Sequence, residues 1–571
     1  MPVIECDAGS SSDIVTGFIV LHVSAPNRIR ETCMRLRFWI LALGIACLAS
    51  PVQAQPRDAD FTARLHRIAV QLELPGFSAA VVRDGKIVYR HQEGVADRGS
   101  GAPIMSNSLF GIASVTKSMT GIILSQLEAE GKIRLDDPLL AYPLNTGWHP
   151  PEGVGDPNIT LGDVLSMSAG DRPGETYVYN GARFNLLSGL FDKISATGSP
   201  QSYVVQNRQR ILTPLGMTDT MTGYQKASPL APRAVRRYQA ESSPTGWNYV
   251  ERPYDWDAAY PASGLISTID DLAKYAAALD RNTLIDQTAY DRLTSPRNGH
   301  PYGYGWFTQV SAGTRLHWVF GYGQAESALF LRVPDKKLTF IFLANADTPS
   351  ALAQLDYADV LRQPFGLAFF DSWVMGGKAI DFDRPMADVA RTIGARPAPM
   401  AVEQLLDEAL LQAFRGRMTG QGGDRAVALS ELLLQVAPER FAQADVYMLR
   451  LLSDVTSPRL KSAAVRLLAR FDLDADRRPV TPLWSGEVLE KLGDGEGAMK
   501  LYALSCDRDG FDDEPMKAQA CERLAIYELE AGQLETGRRH LWHSARISRL
   551  ANDGGEFERK LAILARTSSI R

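Results

Sequence analysis

The chain has 571 residues, 45% of them apolar and 22% charged, with 61 Lys and Arg against 66 Asp and Glu and a net charge of −5. So even a balance excludes a basic nucleic-acid binder and a polybasic membrane-surface protein, and that much apolar content excludes a disordered chain. Five cysteines are too few for a disulfide scaffold, and the length predicts roughly two to four domains, each able to bury a core.

Residues 1–33 carry no clear periodicity. Met34-Arg35-Leu36-Arg37 then leads into the apolar run FWILALGIACLA, followed by Ser50-Pro51-Val52-Gln53-Ala54. A basic start, a short apolar stretch and small residues before a cut site make a secretion signal. The run is about a dozen residues, short of the roughly 20 that span a bilayer. The expectation is a signal peptide over 34–54, with Met34 the natural start and 1–33 a non-native upstream extension. Lipidation of Cys47 is the weaker alternative, because Gly44 stands where a larger apolar residue is usual. No other segment reaches the length of a membrane span, so the mature chain is expected without one, in the periplasm or secreted. Processing leaves Cys506 and Cys521. In an oxidising compartment they form either one local bridge or two separate buried thiols.

From Phe77 the sequence FSAAVVRDGKIVYRHQEGVAD places two apolar stretches around Asp84-Gly85, a strong hairpin signal. Helical patterns follow over 114–130, 184–195 and 269–280. Asp270-Asp271 starts the last of these and reads as a cap. Residues 316–347 read as strand, turn and strand, with the turn at Pro334–Lys337. Strands at both ends and helices between predict an α+β fold, an antiparallel sheet flanked by helices. After about residue 375 strand-like runs vanish and helix formers dominate. The expected domains are 55–375, a linker at 376–400 around Arg396-Pro397-Ala398-Pro399, and an all-α C-terminal domain at 401–571. Residues 490–502 resemble 528–542, with Gly493 matching Gly532. This is consistent with tetratricopeptide-like helix pairs carrying an insertion at 507–515, or with a plain helical domain.

Ser114-Val115-Thr116-Lys117 is a Ser-x-x-Lys, a spacing that also arises by chance. Here it opens a helical run whose Met119, Ile122, Ile123, Leu124 and Leu127 predict burial, with Gly131 a plausible residue just past its end. Positions i and i+3 share a face, so Lys117 lies one turn above Ser114. A desolvated lysine has a lowered pKa and can take the serine proton. The helix N-terminus adds backbone N–H groups where an oxyanion develops. On these residues alone, Ser114 as an N-cap and Lys117 as a solvated side chain is the competing reading.

Across roughly 58–370 the chain resembles the penicillin-recognising serine hydrolases: class C β-lactamases, D,D-peptidases and related esterases. The resemblance is carried by LPGFSAAVVRDGKIVY, LFGIASVTKSMTG, LEAEGKIRLDDPL, ITLGDVLSMSAG, PASGLISTIDDLAKYAAAL and YGYGWF, in that order. It implies Ser114 as nucleophile and Lys117 as its proton partner. The family's second motif, Tyr-x-Asn, falls on Tyr179-Asn180-Gly181. Tyr179 is then the implied general base, its phenol depressed by Lys117, and Gly181 stands where Asn is usual. Asn180 is a candidate to compensate, and Tyr177 reads as core. The third motif, Lys-Thr-Gly or His-x-Gly, falls on Val319-Phe320-Gly321, without its cation. His317 shares the face of Val319, and a shifted register brings His317 or Tyr322 towards the site. Gly321 allows close approach of the strand, and the resemblance makes the N–H groups of Ser114 and Tyr322 the oxyanion donors.

The implied activity is an exported serine hydrolase forming an acyl-enzyme on an ester or amide, with a small-molecule or peptide-like acyl substrate. Without the carboxylate-binding cation, esters are expected to suffer less than penicillins or D-Ala-D-Ala peptides. Amidase or transpeptidase work on the same fold is a further possibility. The alternative is a catalytically decayed hydrolase domain serving as a scaffold, with the C-terminal helices contacting a protein partner. No cofactor is expected. No metal site is predicted, since the eight histidines show no His-x-x-x-His spacing. Among the tryptophans, Trp306 and Trp318 are the candidates for lining a cleft.

Overall fold

The computed structural model describes residues 56–144, 156–169, 173–175, 177–195, 201–243, 246–443, 468, 480–507, 515–550 and 556–568. The upstream extension, the signal peptide with Cys47, and most of the proposed insertion lie outside them. The chain divides into two units, Met1–Pro56 and Arg57–Arg571, and the described residues other than Pro56 belong to the second.

Asp84 and Gly85 take φ of 50° and 74°, the backbone a two-residue hairpin turn needs, and Arg83 pairs with Lys86 across it. The turn joins β1 (Gly76–Arg83) to β2 (Lys86–Asp97), and a short β3 (Ala102–Pro103) comes next. Far along the chain come β4 (Phe307–Ser311), β5 (Thr314–Gly323), β6 (Glu326–Val333) and β7 (Leu338–Ala344). The expected turn between β6 and β7 is a single turn of 3-10 helix, Pro334–Lys336, with Lys337 at φ 45°. These strands form one seven-stranded sheet in the order β3-β2-β1-β7-β6-β5-β4, every described neighbour antiparallel. The hairpins are local, but the joint β1–β7 pairs Phe77 with Ala344.

Every residue of β6 and β7 is buried, which requires cover on both faces. On one face Phe340 and Phe342 stack on Phe369 and Phe365 of a later helix, with ring centroids 5.0 and 4.1 Å apart. On the other, Phe330 meets Tyr275 of the helix Ile269–Asp280 at 5.5 Å. That helix is capped by Thr268, whose hydroxyl accepts from Asp271 N–H, and not by the acidic pair. Asp271 is instead buried, accepting from the Asp219 N–H and the Thr220 hydroxyl.

The first helix, α1 (Pro56–Gln71), packs through Phe61 and Leu65 on this core. The helix α2 (Thr116–Ala129), which follows Ser114, ends as expected, with Gly131 at φ 69°. Residues 376–400, read from sequence as a linker, contain α3 (Met386–Ile393). Its Met386, Val389, Ala390 and Ile393 form one apolar stripe, and Val389 and Ile393 are buried in the core that also holds the sheet. The flanking prolines hid that stripe. The next helices, α4 (Pro399–Thr419) and α5 (Gly423–Val436), also share that core through Leu405, Leu406, Leu429 and Leu433. Arg67 of α1 forks between Asp383 and Glu408, and Gln71 accepts from Gln412 at 2.8 Å.

A separate core gathers Leu483, Trp484, Tyr502, Leu524 and Ile547 from α6 (Val480–Lys491), α7 (Gly495–Cys506), α8 (Pro515–Glu530) and α9 (Leu534–Leu550). A last helix, α10, covers Glu556–Ser568. Gly493 and Gly532 hold positive φ (88° and 78°) at the turns α6–α7 and α8–α9. Cys506 and Cys521 are joined as a disulfide between α7 and α8. Closing a loop of 15 residues restricts the unfolded chain by an amount worth about 2–4 kcal/mol. Replacing both cysteines by serine should lower the unfolding free energy of the helical region by about that much. Urea unfolding of the full chain checks it, and an unchanged transition would show that the bridge adds nothing.

Candidate active site

The segment entering α2 turns sharply before Ser114. Ala113 has φ 40°, a left-handed conformation rare for a residue with a side chain. Ile112 N–H donates to Leu265 O, Val115 N–H to Ile112 O, and the Thr116 hydroxyl to Ala113 O at 2.7 Å. These bonds over-determine the turn, as strained backbone at a functional site requires. Ser114 does not cap the helix. Its Oγ accepts from Lys117 Nζ at 2.6 Å.

Lys117 is 1% exposed. Its Nζ also donates to Ala262 O at 3.0 Å, and the rings of Tyr179 and Phe184 lie 5.3 and 5.6 Å from it. Burial pushes its pKa down to about 7. A lysine poised there exchanges its proton near neutral pH, as a general base must.

Tyr179 reaches the same place from the other side and hydrogen-bonds with Ser114. Its ring packs against Phe320, Phe307 and Tyr302, with centroids 5.2, 5.8 and 6.0 Å away. The depressed phenol expected from sequence is not found. Burial raises the Tyr179 pKa well above its ordinary value, against the smaller opposing effect of the Ser114 bond. Lys117, itself pushed to about 7, does not supply the full positive charge that would lower it. The family resemblance implied that the two groups are neighbours but not which of them burial would leave basic.

The Asn180 side chain bonds within its own turn. Its Oδ1 accepts from Arg183 N–H at 3.1 Å, at the start of the helical turn Gly181–Phe184. Gly181 faces Lys117 directly: a Cβ there would lie 3.6 Å from Nζ and meet nothing else within 4 Å. Tyr177 packs on Tyr302 and Phe307, as a core residue.

The segment Val319-Phe320-Gly321 lies in β5. Val319 pairs with Phe330, Gly321 with Ala328 and Tyr322 with Ser327. Val319 is buried and carries no charge. His317 does not replace the missing cation. It is buried with Nδ1 3.0 Å from the Tyr290 hydroxyl, and burial together with Arg332 lowers its pKa to about 3. A buried neutral imidazole whose Nδ1 meets Tyr290 brings no positive charge to a carboxylate. Gly321 lies so close to the Ile112 carbonyl that any Cβ would overlap it, and the Gly321 carbonyl accepts from Ser350 Oγ at 3.0 Å. β5 thus packs on the turn that carries Ser114, with Tyr322 one residue further on and 52% exposed. Trp318 stacks on Phe307 at 4.0 Å and so backs the Tyr179 cluster, while Trp306 packs deeper against Tyr290.

Sequence reasoning missed Asn185, which is buried and accepts from Ala262 N–H at 3.0 Å. No spacing rule points to it, because its partner lies 77 residues away. Among the described residues, one group could supply three metal ligands: Cys506, Asp507 and His540. It lies in the helical region, with the Cys506 sulfur already held in the disulfide.

A buried lysine on a serine hydroxyl at the start of a helix, beside an antiparallel sheet, defines the class of serine hydrolases built on Ser-x-x-Lys. The sequence model of the Beta-lactamase family matches residues 59–363, and the chain belongs to that family. Among curated proteins it is similar to PbpX of Bacillus subtilis, which carries the name of a penicillin-binding protein, at 27% identity over 43% of this chain and 65% of that one. It is 25% identical to esterase EstB of Burkholderia gladioli over 45% of this chain and 83% of EstB. It is 23% identical to the protein flp of Staphylococcus aureus over 48% of this chain and 60% of flp. The chain therefore spans somewhat less than two thirds of PbpX and of flp. A solved penicillin-binding protein homologue from Pyrococcus abyssi is similar at 20% identity with a TM-score of 0.46, covering 56% of this chain and 78% of that one.

Proposed function

We propose that this is an exported serine hydrolase that turns over esters through an acyl-enzyme. The observation carrying the reading is the buried Lys117 Nζ, 2.6 Å from Ser114 Oγ and with a pKa near 7. Ser114 Oγ attacks the carbonyl carbon as its proton passes to Lys117 Nζ. The oxygen takes the negative charge between the N–H groups of Ser114 and Tyr322. The bond to the leaving alcohol breaks, and the alcohol takes a proton from the Lys117–Tyr179 pair. Water then attacks the acyl-serine with the same groups acting in reverse. Tyr179, held protonated by burial, suits a donor or relay better than a base.

Substrate choice follows from what the site lacks. Gly181 offers no amide to a substrate, Val319 no cation to a carboxylate, and the aromatic residues around Tyr179 favour an apolar acyl group. A disulfide between Cys506 and Cys521 suits an oxidising compartment and supports export. Ser114-dependent labelling by a fluorescent fluorophosphonate tests the nucleophile. Purified protein should hydrolyse short-chain p-nitrophenyl esters faster than a chromogenic cephalosporin, and the reverse order would sink the ester preference.

The altered second and third motifs favour a second reading, a decayed hydrolase used as a scaffold. Ile526, Leu534 and Trp542 are exposed on the C-terminal helices, as a repeat-like module for a protein partner would be. Absence of any Ser114-dependent adduct would favour it.

A further inference from the structure

Gly181 lacks the side chain that usually ends the second motif, yet the peptide unit leading into the carbonyl on which Lys117 rests is held by a side-chain amide. Lys117 Nζ donates to Ala262 O at 3.0 Å. The peptide unit just before that carbonyl is clamped at both ends. Its Pro261 oxygen accepts from the Thr120 hydroxyl at 2.8 Å, and its Ala262 N–H donates to Asn185 Oδ1 at 3.0 Å. Thr120 is fully buried on α2, one turn beyond Lys117, and Asn185 is 5% exposed, one turn beyond Gly181.

We propose that Asn185 is a positioning residue for Lys117: its side-chain oxygen fixes the Ala262 peptide, so that the Ala262 carbonyl faces Nζ and Nζ stays on Ser114. Its consequence for rate rests on the proposed hydrolase function, while the clamp itself does not.

A lysine ammonium sits on a flexible four-carbon stem and has three donors to satisfy. The groups facing this one are the Ser114 hydroxyl, the Ala262 carbonyl and the rings of Tyr179 and Phe184. Among the described residues no carboxylate hydrogen-bonds it, and burial is what lowers its pKa. Among the described residues the Ala262 carbonyl is the backbone acceptor that favours the charged form and aims the amine. If Asn185 releases the peptide, the carbonyl turns away, Nζ loses an acceptor and its direction, and its proton affinity falls further.

The test is a titration of Lys117 in the full chain by NMR of [13Cε]lysine, with its signal assigned by loss in Lys117→Arg. Asn185→Leu, which keeps the volume and removes the acceptor, should lower the Lys117 midpoint by about half a pH unit or more. It should also slow fluorophosphonate labelling of Ser114 at neutral pH by about tenfold. Asn185→Asp keeps an acceptor and should restore labelling to within about threefold of wild type. A folded leucine variant with an unchanged Lys117 midpoint overturns the proposal. Should that variant not fold, Thr120→Ala frees the other end of the same peptide. It must then give the same downward shift, and an unchanged midpoint there overturns the clamp. If wild-type Ser114 does not label at all, the hydrolase reading fails, and the Lys117 titration still decides the clamp.

Discussion

Lys117→Met should cut ester hydrolysis by about 10²–10⁴-fold, the range a lost general base commands. Lys117→Arg should fare no better, because a guanidinium does not give up its proton in water. In the wild type the rate should climb with pH through a midpoint near 7 and then level off, since only the neutral amine accepts the serine proton. Stability should move with pH as well. An unfolded lysine titrates near 10.5, so between about 7 and 10.5 the unfolded chain binds the extra proton. Wild-type stability therefore rises with pH across that window, and the charged form is the costly one to bury below it. The methionine variant should gain more over wild type at pH 6 than at pH 9. Rates with p-nitrophenyl butyrate and thermal unfolding at the two pH values measure both. A methionine variant that keeps wild-type turnover removes Lys117 from the chemistry.

Gly321→Ala should lower kcat/KM by about tenfold or more and destabilise the protein by about 1–3 kcal/mol, the usual cost of overpacking. The added methyl would overlap the Ile112 carbonyl and stand 3.0 Å from Ala328 Cβ. Neither neighbour can yield cheaply. One is backbone in the strained turn before Ser114, and the other belongs to the paired strand β6. Relief must come from β5 drawing back from the turn, which moves the Tyr322 N–H away from any oxyanion at Ser114. Ester kinetics and urea unfolding read the two effects. Wild-type values in both would mean that β5 does not need its close approach here.

Local signals were readable, and so was the antiparallel sheet that joins strands from both ends of the domain; side-chain contacts between distant segments were not. The Asp84-Gly85 turn, the helix after Ser114 with Gly131 behind it, and the β6–β7 turn depend on a few adjacent residues, and each formed where its residues dictate. Ser114, Lys117 and Tyr179 do meet. What burial does to them was beyond reach, because it depends on the whole surrounding core: Lys117 is depressed as a desolvated amine should be, but Tyr179 is raised. His317 looked available because strand periodicity reports a face and not the Tyr290 hydroxyl waiting on it. Asn185 left no trace, its partner being distant. The apolar stripe of α3 was masked by the prolines on either side. The Cys506–Cys521 bridge was open from spacing alone.

The union of α1 with α4 reaches from Arg67 to Glu408, and β1 pairs with β7 from Phe77 and Ala344 to Arg83 and Leu338. Order of synthesis and order of assembly cannot coincide in such a chain. The first strands and α1 leave the ribosome long before the segments that bury them, and the hydrolase core is not complete until Val488 has been made. Until then β1 offers an unpaired edge and α1 an uncovered apolar face, the kind of surface on which nascent chains aggregate. A chain kept unfolded until all of it is available avoids that interval, so the distant pairing makes a holding chaperone during synthesis an asset to this protein.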